Sequence, residues 1–190
     1  MRTVNAAAQA LRERGEIKEV PLIWIRCVDR ETGEVKPVGI WGGVEAEDIQ
    51  VADLVTGEQR TRQFYPGLSG VDDVVHEMGI VIRATSVQFS PHDAAVQIAF
   101  REREPRGVQV QIWKRAYDRE TQRPVAGLPE AWLSGYINEA PLTMQAGEAT
   151  LSADIVSTAR MLTITSARRK SDEAQRRRGG DRARRYKATA

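Results

Sequence analysis

Cysteine is nearly absent from this chain of 190 residues, and the one present, Cys27, excludes an internal disulfide or a thiolate metal cage within one chain. It lies between Trp24 and Val28 in an apolar run and reads as a small buried side chain rather than a nucleophile. Histidine is almost as scarce, with only His76 and His92. His76-Glu77-Met78-Gly79-Ile80 begins like a zinc-protease motif but has Ile80 where the second histidine ligand must stand. Asp72, Asp73, His76 and Glu77 offer metal-binding atoms, yet charged side chains in a surface turn need no metal to explain them. His92, between Pro91 and Asp93, reads as the solvated face of a helix start. No glycine-rich phosphate loop is present, and Gly42-Gly43 after Trp41 reads as a tight turn or bulge. The stretch Pro66 to Gly70 lacks the G-x-S-x-G spacing of a nucleophile elbow, which leaves Ser69 as a turn residue. The longest apolar runs, such as Val20 to Ile25 and Gly79 to Ile82, fall far short of the roughly 20 residues of a membrane helix. The N-terminus meets charge every few residues after Leu11 and has no signal-peptide core. These absences lead to the expectation of a protein made in a cytosol-like compartment, with no membrane, no cofactor, no metal and no catalytic site. An enzyme would require a convergent pocket around His76 or His92.

What the chain does have is charge asymmetry. The last 23 residues, Arg168 to Ala190, hold ten of the 28 Lys and Arg but three of the 26 acidic residues, a net of +7, which leaves 18 basic and 23 acidic side chains in the rest. With Tyr186 as its single large apolar side chain, this arm cannot bury enough surface to offset the entropy of ordering itself. Its order must come from a partner. Ser171, the acidic Asp172 and Glu173, the basic Arg176 to Arg178 and Gly179 describe a short helix aligned with its dipole, too short to persist alone, with residues 181–190 beyond as a flexible strap. The expected organisation is an N-terminal helix or lead-in at 1–19, a β-rich core at 20–167 and a basic arm at 168–190.

In the lead-in, Thr3 is the expected cap of a helix carrying Val4, Ala7, Ala8 and Leu11 on one side, stopped by Gly15. From Val20 the texture becomes that of strands, and PLIWIRCV, DRETGE and VKPVGIW read as a β-hairpin. Further strands are expected at Ile49 to Val55, Gln59 to Tyr65, Ile80 to Phe89, Val108 to Tyr117, Trp132 to Asn138 and Thr150 to Ser157, which suggests a mainly β, antiparallel sandwich or barrel. Trp24, Trp41, Trp113 and Trp132 are its expected core anchors. One helix interrupts the strands, with Ser90 as N-cap, Pro91 at its first position and AAVQIAFRER following. Val71, Val74, Val75 and Met78 fit either a helical turn or an edge strand.

The chain also echoes itself. Trp24 to Thr32 and Trp113 to Thr121 share W-x-R-x-x-D-R-E-T at an offset of 89 residues. Two readings stand: convergent turn chemistry, with Asp opening a hairpin loop, or two related hairpins in a duplicated sheet.

Several stretches occur in a familiar order: Phe64-Tyr65-Pro66-Gly67, Val87-Gln88-Phe89-Ser90, Val108 to Trp113 (VQVQIW), Leu133-Ser134-Gly135-Tyr136-Ile137, Ala149-Thr150-Leu151, and the run Arg168 to Arg176 followed by Gly180-Asp181. This order resembles tail-tip proteins of long-tailed bacteriophages and related gene-transfer particles, in the group of distal tail and baseplate hub components. The resemblance implies a β-sandwich or barrel that forms a ring at the end of the tail tube, sixfold in distal tail proteins and threefold in hubs, among other tail proteins of a virion. Some hubs of that group carry an iron-sulfur cluster on cysteines, and the solitary Cys27 departs from that pattern. The expectation is therefore a structural virion protein assembling as a homo-oligomeric ring, sixfold favoured, through sheet edges and its arm. Arg168, Arg169, Arg176, Arg177, Arg178, Arg182, Arg184, Arg185 and Tyr186 are its expected subunit-interface residues, because arginine makes forked pairs with carboxylates. The alternative is a nucleic-acid-binding or packaging accessory protein that lays the same cations on a phosphate backbone. Against it stand the acidic body and an arm with only one aromatic for stacking on bases.

Overall fold

The computed structural model describes residues 5–72, 84–140, 142–145 and 148–158, all within one compact unit, Met1–Arg160. The chain opens with helix α1 (Ala6–Arg14), which ends at Gly15 with φ 73°. Its cap is Asn5, whose Oδ1 accepts the Ala7 N–H at 3.0 Å. This corrects the expected cap, Thr3, which lies outside the described residues. The helix buries only Ala8 fully, so polar contacts hold it: Asn5 Nδ2 donates to the Ala126 carbonyl at 2.6 Å.

Twelve strands follow among the described residues: β1 (Ile17–Ile25), β2 (Val28–Asp29), β3 (Val38–Trp41), β4 (Glu47–Ala52), β5 (Gln59–Pro66), β6 (Leu68–Val71), β7 (Ala84–Phe89), β8 (Arg103–Glu104), β9 (Gln109–Asp118), β10 (Glu130–Glu139), β11 (Leu142–Gln145) and β12 (Glu148–Ser157). Ten of them form one sheet in the order β4-β5-β3-β1-β9-β10-β12-β7-β6, with β11 on β12, while β2 and β8 pair separately. The mainly β architecture agrees with the sequence. Its pairs are antiparallel except β3 with β5, which run parallel at Ile40 with Tyr65 and Trp41 with Pro66. Ser69, read as a turn residue or cap, lies within strand β6. Gly67 before it and Gly70 within it hide this short strand, whose register slips against β7 between Leu68 and Gly70.

The order of the strands dictates the shape. Strand β5 lies beside β3 near one end of the sheet, and β6, one residue later, lies beside β7 at the other end. Only a sheet that curls round on itself lets one residue join its two ends. That residue is Gly67, with φ 131°, and a Cβ there would stand 2.7 Å from Val96 Cγ2. Inside the curl, Ile23, Ile40, Val87, Ile112, Ile137 and Ile155 meet in one buried cluster with side chains from seven strands.

A short helix, α2 (Ala94–Gln97), continuing into a π-helical turn at Ile98–Glu102, adds Val96 and Ala99 to this cluster. Phe100 packs on Phe89 with ring centroids 4.9 Å apart. The cap is Asp93 rather than the expected Ser90. The Ser90 N–H is instead spent on the Gly67 carbonyl at 2.8 Å, and residues 90–93 form a turn closed by Asp93 N–H on the Ser90 carbonyl at 3.4 Å.

The β4–β5 hairpin covers the outer face of β1 and β9. There Leu22, Trp41, Ile49, Val51, Phe64 and Trp113 form a second buried cluster. Phe64 stands edge-on between Trp24 and Trp113, with centroids at 5.9 and 6.3 Å. Since β1 is covered on both faces over residues 20–25, its sequence there, VPLIWI, is a near-continuous apolar run instead of an alternating one. Trp113 and Trp41 are buried anchors as expected, whereas Trp24 and Trp132 are half-buried.

The repeated motif resolves into loop chemistry. Asp29 Oδ1 accepts the N–H groups of Glu31 and Thr32, both at 3.0 Å. Asp118 Oδ1 does the same for Glu120 and Thr121 at 2.8 and 3.1 Å. A third loop, Asp53 with Val55 and Thr56 at 2.9 and 3.1 Å, repeats the pattern with no tryptophan before it. In each, the aspartate carbonyl accepts a bond four residues on, from Gly33, Gln122 and Gly57. That fourth position is left-handed in all three, with φ 72° at Gly33, 77° at Gly57 and 55° at Gln122. A shared loop, rather than duplication, accounts for the D-x-x-T half of the echo. Because a left-handed non-glycine residue costs about 1–2 kcal/mol, we expect Gln122→Gly to raise unfolding stability by about 1 kcal/mol in urea titration and Gly57→Ala to lower it by a similar amount. An unchanged midpoint for the former would mean that the bond from Gln122 Nε2 to the Arg119 carbonyl, at 2.5 Å, compensates for the strain.

Candidate assembly surfaces

The nine expected interface residues, Arg168 to Tyr186, lie outside the described residues, as does His76. His92 is exposed in the turn before α2. Cys27 is fully buried with Sγ 3.8 Å from the Ala99 carbonyl, and burial pushes its thiol up to about 11. That is the inert side chain the sequence indicated. Among the described residues no group of three His, Cys, Asp or Glu side chains stands ready to hold a metal ion.

Two charged constellations were not read from the sequence. In the first, Arg12 of α1 pairs with Glu19 at 2.7 Å and with Glu130. Glu19 also pairs with Lys114 at 3.3 Å, and the Lys114 ammonium sits 3.9 Å above the Trp132 ring centroid. Burial would raise the Glu19 carboxyl, but Arg12 and Lys114 hold it below the usual glutamate range. Beside this network is an open cleft of about 290 Å³, whose walls include Lys18, Pro21, Gly42, Leu68, Lys114 and Trp132. The cation nearest the indole is already neutralised by Glu19, so the arrangement serves to fasten α1 to β1, β9 and β10.

In the second, Arg62 is 8% exposed although charged. Its Nη2 meets Asp53 Oδ2 at 2.5 Å and its Nη1 donates to Gln111 Oε1 at 3.0 Å. Gln111 Nε2 in turn donates to Asp53 Oδ1 at 3.1 Å. The guanidinium carbon lies 4.8 Å from the Trp24 ring and 5.4 Å from the Trp113 ring, which places the cation between two indoles. Burial would push the Asp53 carboxyl up, but the N–H groups of Val55 and Thr56, with Gln111 and Arg62, bring it down to about 2. Two signals for this knot exist in the sequence: the third D-x-x-T loop, and Arg62 alternating with Phe64 on the inward face of β5. Its polar atoms face one another, so it joins the outer hairpin to the wall.

A surface open to another chain is the far side of β4, the terminal strand of the sheet. It runs beside the most exposed large apolar residue of the described chain, Val44, at 90% exposure. The outer faces of β4 and β5 carry Asp48, Gln50, Thr61, Gln63 and Tyr65, all exposed, with no cation among them.

No protein-family model and no curated protein sequence matches this chain. Among solved structures it is similar to a protein of the virion of a native gene transfer agent particle, with a TM-score of 0.55 and 13% identity over 88% of this chain and 50% of that one. The chain thus spans about half the length of that neighbour, and the likeness is one of fold.

The Asp53 carboxyl makes a checkable contribution to stability. Its folded value of about 2 lies below the ordinary 3.8, so the stabilisation is complete above pH 4 and is lost as pH falls towards 2. The shift corresponds to about 2 kcal/mol, and we expect Asp53→Asn to cost at least that at neutral pH and to flatten the acid limb of the unfolding profile. Thermal unfolding followed from pH 5 to 2 tests this; an acid limb as steep as that of the parent chain would contradict it. Residual slope is expected from Asp118, which the N–H groups of Thr121 and Glu120 also hold low.

Proposed function

We propose that this chain is a structural, non-enzymatic component of the tail tip of a phage-like particle, a distal tail or baseplate ring protein of the virion, made in the host cytoplasm. The observation that carries the reading is the fold: a curled sheet with a free outer strand, similar over most of its length to a protein of a gene transfer agent virion. The order of motifs from Phe64 to Asp181 points the same way, towards a ring at the end of a tail tube, sixfold rather than threefold. In this reading other tail proteins sit above and below the ring, and Arg168, Arg169, Arg176, Arg177, Arg178, Arg182, Arg184, Arg185 and Tyr186 bind carboxylates of adjacent subunits. The +7 net charge of the arm favours a second reading, a nucleic-acid-binding or packaging accessory protein.

Native mass spectrometry of the full chain with a short DNA duplex separates the two. Closed oligomers free of DNA are the expected result and would give the symmetry; monomers carrying DNA, with adducts lost as salt rises, would transfer the assignment to the second reading. A chain ending at residue 167 is expected to keep the unfolding transition of the barrel and to fail to enter particles. Normal incorporation of that shortened chain would remove the arm from the mechanism.

A further inference from the structure

Strand β4 ends the sheet with one neighbour only, β5, in uninterrupted register from Glu47 with Phe64 to Ala52 with Gln59. The hairpin closes with the Asp53 N–H on the Glu58 carbonyl at 2.8 Å. Hydrogen bonding alternates along an antiparallel pair, so Val51, Ile49 and Glu47 direct their backbone groups to β5. Ala52, Gln50 and Asp48 direct theirs outward, where no described strand receives them. Such an edge is a template for another strand, and proteins usually blunt it with lysine, proline or a bulge. This one has none of the three. From Gly42 to Glu58 the sequence carries five acidic residues, and no Lys, Arg or Pro.

An edge of that charge repels a second copy of itself and suits a basic strand. Glu47 is engaged with Arg115 at 2.7 Å, but no ion pair involves Glu45 or Asp48 among the described residues. Alongside them Val44 presents its apolar surface. The basic C-terminal segment supplies the matching parts: extended as a strand, Arg182, Arg184 and Tyr186 project from one side at two-residue spacing, with no acidic residue after Asp181.

We infer that the outer edge of β4 is the docking site for residues 182–190 of a second copy of this chain, which add to the sheet as a further strand. Arginines pair with Glu45 and Asp48, and Tyr186 covers Val44. The contact is heterologous, since the edge of one subunit takes the arm of the next, and its repetition builds a ring where the rotation between subunits closes. The inference rests on the ring reading above and specifies how neighbours join.

The test uses full-length chains bearing one introduced cysteine each, with Cys27 left buried. Ala46→Cys and Arg184→Cys preparations are mixed and oxidised, with Glu120→Cys and Arg184→Cys as the control, because Ala46 is exposed just before β4 and Glu120 lies in the exposed loop beyond β9. Disulfide-linked heterodimers well above the control are expected, whereas Ala46→Cys alone should give no more than the control. Asp48 faces Arg182, and Asp48→Lys should lower trapping by about fivefold, the worth of one exposed ion pair at the upper end of its range. Adding Arg182→Glu to the partner chain should restore it. Trapping at the control level in mixtures that still show closed oligomers by native mass spectrometry would overturn the docking site and leave the ring reading standing. Loss of the oligomers themselves in the parent chain would overturn both. Trapping only within a chain carrying both cysteines, independent of concentration, would overturn the exchange between subunits. Circular dichroism of each variant shows that the barrel is intact, and the charge-swapped pair keeps the test decisive if one variant folds poorly.

Discussion

The fold depends on a single crossing. Between β5 and β6 the chain has one residue in which to leave one end of the sheet and enter the other, and that residue adopts φ 131° with the Val96 methyl group pressed where a side chain would begin. The consequences spread from there. Strand β6 can reach β7 only if the intervening strands curl, and the curl creates the interior that Ile23, Ile112 and Ile155 fill. The Gly67 carbonyl takes the Ser90 N–H, which delays the start of α2 and sets Val96 against the crossing. Before the crossing, β5 is free of the curl for most of its length and lies with β4 over the outer face of β1 and β9.

That outer layer is held by unlike forces in close company. Phe64 contributes apolar area and edge-on ring contacts, each aromatic pair being worth about 0.5–1.5 kcal/mol beyond burial. Arg62, two residues earlier on the same face, brings a charge that must be paired, and Asp53 and Gln111 pair it between the same two indoles. A buried ion pair is weak evidence of net stability, but it fixes register, since a one-residue slip of β5 would turn Arg62 to solvent and leave Asp53 buried without its cation. The outer hairpin is thereby held in one position, which keeps the same edge of β4 facing outwards.

Much of this was legible in the sequence because the strands announce themselves by composition. The expected segments at Ile49, Gln59, Val108, Trp132 and Thr150 begin within two residues of β4, β5, β9, β10 and β12. What failed were features decided by contacts between distant residues. Asn5 caps the first helix through its own side-chain geometry, and Ser90 opens a turn whose carbonyl takes the Asp93 N–H, so the second helix starts three residues later than expected. Strand β6 is too short and too rich in glycine to show an alternating pattern, and the parallel contact of β3 with β5 exists only because the barrel closes. The paired tryptophans of the repeated motif were visible, but the arginine between them was not, since nothing local says that an arginine on an apolar face has found a carboxylate nine residues away. The expected interface arginines of the arm fall outside the described residues, so the site as read from sequence and the surfaces seen in the fold meet only through their opposite charges.

The place of β12 in the sheet has a kinetic meaning. It lies between β10 and β7, so those two strands, made earlier, have no shared neighbour until Ser157 has left the ribosome. At about 5–20 residues per second, the 68 residues from Phe89 to Ser157 take roughly 3–14 s, during which β7 waits without β12 and the apolar lining of the interior stays exposed. Hairpins such as β4–β5, closed by a loop that organises itself, can form within that interval, while the curl cannot. The nascent protein therefore passes through a prolonged open stage in which its chief hazard is capture by another half-made copy, and its yield should depend on how quickly the last strand is delivered.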